Sequence, residues 1–189
     1  MAPRIERRRV QAPSSDDFHR VRAVSLPQPS AVADWYAGAD LADAFAIALP
    51  NEATSDILAL GQAVLASPPV WVNALLRLRD AIVTPFGIKT TRAIEHELRA
   101  NGVPCIGIFR ILSAADTEAV VGERDSHLDF KASLLLQTDA EGRRQLVATT
   151  VVRCNNWIGR IYLAVIAPFH RRVVRSSLRR AALKGWPVA

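Results

Sequence analysis

His127 and Asp129 are the residues of this chain whose types and spacing best suit acid–base chemistry. They lie two positions apart in a β-type run, and alternate residues of a strand project from one face. A carboxylate beside an imidazole orients the ring and raises its basicity, so the pair could act as a general base. However, the alternate residues from Leu128 to Leu134 are apolar, and if they face the interior the pair faces outward. Unless a bulge reverses the strand locally, a surface or strand-pairing role is preferred.

Three further polar side chains, Arg160, Tyr162 and His170, lie in the C-terminal segment. Tyr162 belongs to the apolar stripe of a predicted helix, so its hydroxyl could meet a polar ligand group or take part in proton transfer. Arg160 could pair with Asp129 or Glu123, because an arginine at a junction of elements is usually paired. His170 lies beside two arginines that disfavour its protonation. A neutral His170 could contact a ligand, although bonding to backbone carbonyls is the more economical role.

Aromatic side chains supply another kind of candidate, the lining of a ligand pocket. At the spacings present here an aromatic residue more often packs in the hydrophobic core. The volume of any internal pocket would decide between core packing and ligand binding. A pocket of roughly 300 Å³ or more favours a ligand. The residues predicted to contact one are Trp71, Phe109, Phe130, Leu134, Ile158, Arg160, Tyr162, Phe169 and His170.

Motifs of the common catalytic classes are missing from the sequence. It contains no GxSxG, GxxxxGK[ST], CxxC or GxGxxG, so hydrolase, nucleotide triphosphatase and redox functions lack support. A metal site is not predicted either, because only His127 and Asp129 are close in sequence. A third ligand, His170 or Glu123, would have to be assumed. We therefore predict no metal and no cofactor.

The composition is that of a single globular domain. Half of the 189 residues are apolar and 22% are charged, which is typical of folded proteins. No apolar run approaches the ~20 residues that span a bilayer, and the N-terminal arginines are not followed by the apolar segment of a signal peptide. We expect a cytoplasmic protein in which Cys105 and Cys154 remain reduced.

The net charge of +6 is concentrated at the C-terminus. Residues 156–189 contain seven basic residues and no acid, so the rest of the chain carries −1. Such a face could meet anionic lipid or an acidic protein, or could simply be solvated. No aromatic residue lies within 171–180 to stack on bases, so specific nucleic-acid recognition is not expected.

Periodicity and turn residues predict the elements that must position these side chains. Residues 1–33 predict an irregular arm, and 34–189 a single domain. The predicted elements are a strand at 42–49, helices at 54–66 and 70–83, β-type runs at 106–112, 118–123, 127–138 and 144–153, and a long helix at 155–186. Residues 88–104 are ambiguous. The connectors between the β-type runs are of hairpin length, which predicts an antiparallel meander.

The long helix is predicted to cover the sheet, since a sheet cannot leave an apolar face bare. Its apolar stripe is predicted from residues spaced by three and four, namely Ile158, Tyr162, Val165, Phe169 and Val173. We therefore predict an α+β fold in which a curved antiparallel sheet wraps around the long C-terminal helix. Two shorter helices after the first strand close one end. Gly159 would allow close approach to the sheet, and Pro168 would kink the helix.

Four segments carry a resemblance to known families. They are ADLADAF at 39–45, LLRLRDAIVTPFGIKT at 75–90, GERDSHLDF at 122–130 and TTVVRCNNWIGRIYLAVIAPFHRRVVR at 149–175. The chain resembles a bacterial domain-of-unknown-function family, number twenty-eight sixty-seven, and its layout is similar to the helix-grip fold of the START and Bet v 1-like (SRPBCC) superfamily. The resemblance covers residues 39 to about 180 and implies this fold and an internal cavity, but no activity. Such domains are sometimes fused to nucleotide-binding reductases. Because this chain has no GxGxxG, a reductase partner would be separate.

Three functions remain open at this point. The favoured one is binding of a hydrophobic or amphipathic small molecule between the sheet and the C-terminal helix. An alternative is an enzyme of cyclase, dehydratase or isomerase type that uses His127, Asp129 or Tyr162 for proton transfer. The third is an adaptor whose basic helix docks an acidic partner or a membrane surface.

Overall fold

The computed structural model describes residues 18–66 and 101–188, together with eight single positions between them (71, 72, 74, 77, 80, 93, 96 and 100). The elements in chain order are β1 (Arg22–Ala23), β2 (Leu41–Ala48), α1 (Ile57–Leu65), β3 (Cys105–Ile106), β4 (Phe109–Ala114), β5 (Glu118–Arg124), β6 (Leu128–Thr138), β7 (Arg144–Cys154) and α2 (Trp157–Lys184). A 3-10 turn at Ala33–Trp35 precedes β2. The predicted helix at 70–83 and the ambiguous segment 88–104 fall largely outside the described residues.

The seven strands within the described residues form one curved antiparallel sheet in the order β1-β2-β7-β6-β5-β4-β3. The predicted meander is confirmed, since β4 to β7 are each paired with the next strand in the chain. The β-type run predicted at 106–112 is instead two short strands. Gly107 lies between them with a φ of +62°, a conformation that glycine adopts without steric cost.

The inner face of the sheet carries the main core. Alternate residues of the central strands meet apolar residues of both helices there. The cluster contains Phe45, Ile47, Leu49, Ala53, Ile57, Leu60, Val64, Ala119, Leu134, Leu146, Ala148, Leu178, Ala181 and Ala182. Burial of each large apolar side chain stabilises the fold by about 1.5–3 kcal/mol, so α1 and the second half of α2 are fixed to the sheet.

Helix α2 has 28 residues and is about 42 Å long. Its sheet-facing side is marked by Gly159, Ser177 and Ala181, which are buried and fall on one face of a helix. The predicted apolar stripe is therefore wrong in part. Val165 and Phe169 are 53% and 43% exposed, because they lie about 120° and 80° around the helix from Gly159. The packed face is formed by small side chains together with Leu178, which is fully buried.

The outer face of the sheet is covered by the segment before β2. Val24 and Leu26 pack on a cluster of Ala44, Ala46, Leu135 and Val147. Val32, with Trp35, Tyr36 and Ala39, packs on Val120 and Val151. Residues 24–39 thus form a second layer.

Glu118 fixes that layer to the sheet through its carboxylate. It accepts hydrogen bonds from the Ser30 hydroxyl at 2.7 Å and the Ala31 amide at 2.8 Å, and from the hydroxyl of Ser133 on β6. A carboxylate in an apolar layer is tolerated because several donors surround it.

Candidate functional site

A cleft of about 500 Å³ opens between the start of β2, the end of β7 and the first half of α2. It exists because the helix presents alanines here, where larger side chains would fill the space. The residues that line it are Asp40, Leu41, Ala42, Cys154, Arg160, Leu163, Ala164, Ala167 and Arg171. Its volume lies within the range of roughly 300–1,000 Å³ found for small-molecule sites.

Asp40 forms one polar wall of the cleft. Its Oδ2 accepts a hydrogen bond of 2.7 Å from the backbone amide of Cys154. The guanidinium Nε of Arg160 lies 4.0 Å from Oδ1. Asp40 thereby joins the start of β2 to the end of β7 and keeps Arg160 over the cleft.

Asp43 lies beside the cleft on the inner face of β2, where its side chain is only 13% exposed. The helix supplies its partners. His170 Nε2 lies 3.2 Å from Oδ1, and Arg171 Nε lies 3.6 Å from Oδ2. A buried carboxylate requires such partners, so Asp43 fastens the middle of α2 to the edge of the sheet.

Cys154 is the nucleophilic side chain that lines the cleft. Burial raises the pKa of the Cys154 thiol, and the nearby charge and hydrogen bonding of Asp40 raise it further, against a smaller opposing effect of Arg160. A thiol with a raised pKa is neutral near pH 7 and is not an activated nucleophile. The cleft is therefore suited to binding rather than to thiol chemistry.

His127 lies elsewhere, at the junction of the β5–β6 turn with the start of α2. It is 3% exposed, and its ring packs edge-on against Tyr162 with 5.3 Å between centroids. Its Nδ1 lies 3.5 Å from Asp125 Oδ2. Its backbone oxygen accepts a 2.9 Å hydrogen bond from the Asn155 amide.

Two asparagines bind the turn to the helix. The side-chain amide of Asn155 donates to the Asp125 carbonyl at 2.9 Å and to Asp129 Oδ1 at 3.2 Å. That of Asn156 donates to the Ser126 carbonyl at 3.0 Å, while its oxygen caps the helix at the Gly159 amide. The side chains of Asn155 and Asn156 thus hold backbone in place, which is a structural role.

His127 and Asp129, which were predicted to act together in acid–base chemistry, have different neighbours in the structure. His127 precedes β6 in a bend and contacts Tyr162, whereas Asp129 is paired with Asn155. Strand alternation does not apply to His127, because the residue is not part of the regular strand.

Among the described residues that were predicted to contact a ligand, Arg160 is the one that lines the cleft. Phe109 and Phe130 form an edge-to-face pair with centroids 5.9 Å apart, and Leu134 is in the main core. Trp71 and Phe169 are exposed, Ile158 is half-buried, and His170 lies next to the cleft against Asp43.

Asp40 and Asp43 were missed by sequence reasoning. A signal was present for Asp43, because it interrupts the alternating face of β2 that continues with Phe45 and Ile47. An acid on the inner face of a strand requires a partner. The partner on α2 is distant in sequence and could not be identified from spacing.

Within residues 18–66, 101–188 and the described positions between them, no three His, Cys, Asp or Glu side chains converge as metal ligands. In that same part of the chain, no helix is both long and apolar enough to cross a bilayer.

Comparison with known proteins gives one match. A family model described as "Protein of unknown function (DUF2867)" matches residues 35–177, a range that includes both the cleft and the His127 junction. No curated protein and no solved structure matches the chain.

Proposed function

We propose that this chain, which belongs to the DUF2867 family of proteins of unknown function, binds an amphipathic small molecule in the cleft between β2 and α2. The observation that carries the proposal is the cleft itself. Its walls combine apolar side chains (Leu41, Leu163, Ala164 and Ala167) with two guanidinium groups and the Asp40 carboxylate. Apolar walls with a few placed polar groups are typical of small-molecule sites.

The two arginines favour an anionic group on the ligand. The side chains of Arg160 and Arg171 are 74% and 65% exposed, so both guanidinium groups are accessible to a ligand. Asp40 and Asp43 would keep hydrogen-bond partners without them, namely the Cys154 amide and His170. The guanidinium groups can therefore pair with a carboxylate or phosphate, which matches their planar donor geometry.

The curved sheet and long terminal helix support placing the chain in the helix-grip superfamily of START and Bet v 1-like proteins, in which the implied ligand site also lies between sheet and helix. Bacterial origin, a cytoplasmic location and a separate reductase partner stay predictions. An enzymatic role for His127, Asp129 or Tyr162 has no specific support, since these residues are engaged at the helix junction.

The test compares dodecanoate with dodecanol and dodecyltrimethylammonium, which share its apolar chain but differ in head group. Dodecanoate at about 100 times its Kd should stabilise the protein by about 2.7 kcal/mol and raise Tm by roughly 5–10 °C. The other two should have smaller effects, because they cannot pair with the arginines. Calorimetric titration would give the stoichiometry.

Two variants locate the binding. Ala164→Leu combined with Ala167→Leu should fill the cleft and abolish the shift, while Arg160→Gln combined with Arg171→Gln should remove the preference for dodecanoate. Arg124→Gln, at an exposed position on β5, is the matched control and should bind normally. Equal shifts with all three ligands, or an unchanged shift in the filled variant, would contradict the proposal.

A further inference from the structure

The outward side of α2 carries exposed large apolar residues in its first half. Trp157, Ile161, Val165 and Phe169 are 68%, 58%, 53% and 43% exposed. They follow one another at intervals of four residues and form a ridge about 18 Å long. We call these four residues the apolar ridge. Most large apolar side chains of a globular protein are buried, so an aligned set of four is a candidate contact surface.

Basic residues continue along the same side of the helix. Arg179 comes about five turns after Ile161 and Arg172 about two turns after Val165, so both lie nearly in line with the ridge. Arg175 is instead turned toward the sheet, where its guanidinium lies 4.9 Å from the centre of the Phe45 ring. Arg172 and Arg179 are exposed. Residues 156–189 contain no acid, so no negative charge within this segment offsets them.

We propose that this side of α2 docks on the surface of an anionic lipid bilayer. The apolar ridge would enter the boundary between head groups and acyl chains, and Arg172 and Arg179 would lie among anionic head groups. Interfacial helices combine apolar, tryptophan-containing faces with arginine in this way, and tryptophan favours the membrane–water interface.

The shape of the surface favours a bilayer over an acidic protein. The ridge is a convex helix face, and a protein partner would need a groove that fits it closely. A bilayer surface accepts a convex apolar ridge without a preformed groove. The arrangement does not cross the membrane, and it is independent of whether the cleft binds a ligand.

Co-sedimentation with vesicles tests the proposal. The full chain should bind phosphatidylcholine vesicles that contain about one-third phosphatidylserine, and binding to pure phosphatidylcholine should be much weaker. Raising the salt concentration from about 0.05 M to about 0.5 M should weaken binding strongly, because exposed charges are screened.

Matched variants separate the two parts of the surface. Ile161→Ser combined with Val165→Ser should abolish binding at both salt concentrations. Arg172→Gln combined with Arg179→Gln should weaken it by roughly 25-fold, or about fivefold for each arginine. Leu112→Ser and Arg110→Gln, at exposed positions on β4, should bind as the unaltered chain does. Circular dichroism checks that every variant folds.

Several outcomes would overturn the proposal. One is equal binding to vesicles with and without phosphatidylserine, and another is unchanged binding by the serine variant. A third is binding to soluble polyglutamate but not to vesicles, which would identify an acidic protein as the partner. A dimer in solution that the serine variant abolishes, without vesicle binding, would show that the ridge joins two copies of the chain.

Discussion

Gly159 lies directly against the backbone carbonyl of His127, and replacing it by alanine should loosen the start of the helix. An added β carbon would lie 2.0 Å from the His127 carbonyl oxygen and 2.9 Å from its carbonyl carbon. Both atoms belong to the backbone and cannot rotate away. To reach the 3.0 Å that such contacts require, the first turn of α2 must move by about 1 Å in a close-packed junction.

The expected cost follows from three contributions. Overpacking costs about 1–3 kcal/mol, and weakening the Asn156 cap costs about 1 kcal/mol more. Alanine in place of glycine returns about 1 kcal/mol through helix propensity. The net loss in the free energy of unfolding is therefore about 2 kcal/mol, equivalent to roughly 4–8 °C in Tm for a domain of this size.

Gly61→Ala is the matched control, because Gly61 is also inside a helix. Its added β carbon would lie 2.9 Å from Ile106 Cδ1 and 3.3 Å from Leu134 Cδ1, both ends of flexible side chains. The propensity gain is the same, so this variant should remain within about 1 kcal/mol of the unaltered chain. Urea unfolding followed by far-UV circular dichroism gives both values. A Gly159→Ala protein as stable as the Gly61→Ala protein would refute the reasoning.

Two further predictions concern titrating groups. Although burial acts to raise it, hydrogen bonds from the Arg143 backbone and side chain lower the pKa of Asp139. Its contribution to stability is therefore complete above the unfolded value near 3.8 and is lost as the pH falls through the lower folded value. Asp139→Asn should reduce the free energy of unfolding by about 1–2 kcal/mol at pH 7. Urea unfolding at several pH values should show that the difference between the two proteins becomes smaller in acid. A difference that does not change with pH would contradict this prediction. Because the pKa of Cys154 is raised by burial and by Asp40, the thiol should react with iodoacetamide more slowly than glutathione at pH 7.5, and Asp40→Asn should accelerate it. Labelling measured by mass spectrometry tests this, and faster reaction in the unaltered chain would refute it.

Much of the fold could be predicted from the sequence, because local signals specified it. Hairpin-length connectors predicted the meander from β4 to β7, and the spacing of apolar residues predicted the long C-terminal helix α2. The pairing of β2 with β7 could not be predicted in this way, since it joins strands about a hundred residues apart. No local pattern specifies such a contact.

Helix periodicity correctly predicted a helix here, but it placed some apolar residues of α2 on the side that faces the sheet although they are exposed. Val165 and Phe169 satisfy the spacing of an apolar face, yet the packed side follows Gly159 and Ser177. When a long helix has apolar residues on more than one side, periodicity does not determine which side faces the sheet. Here the close contact of Gly159 with the His127 backbone determines it.

The candidate site was the least predictable part. The cleft arises from alanines at 164 and 167 and from carboxylates at 40 and 43 that meet the helix across the fold. An alanine in a sequence does not indicate whether the space beside it is an open cleft or is filled by another side chain. His127 gave a misleading signal, because a strand pattern was extended by one residue into a turn.

The layer formed by residues 24–39 has a consequence for how a shortened version of this protein should be designed. A fragment that begins at residue 34 would lose Val24, Leu26 and Val32, and would bare the apolar clusters beneath them on β2, β5, β6 and β7. Glu118 would at the same time lose the two hydrogen-bond donors supplied by Ser30 and Ala31. Exposed β-sheet surface of this kind promotes aggregation, so a shortened chain that is to remain monodisperse should retain everything from residue 18 onward.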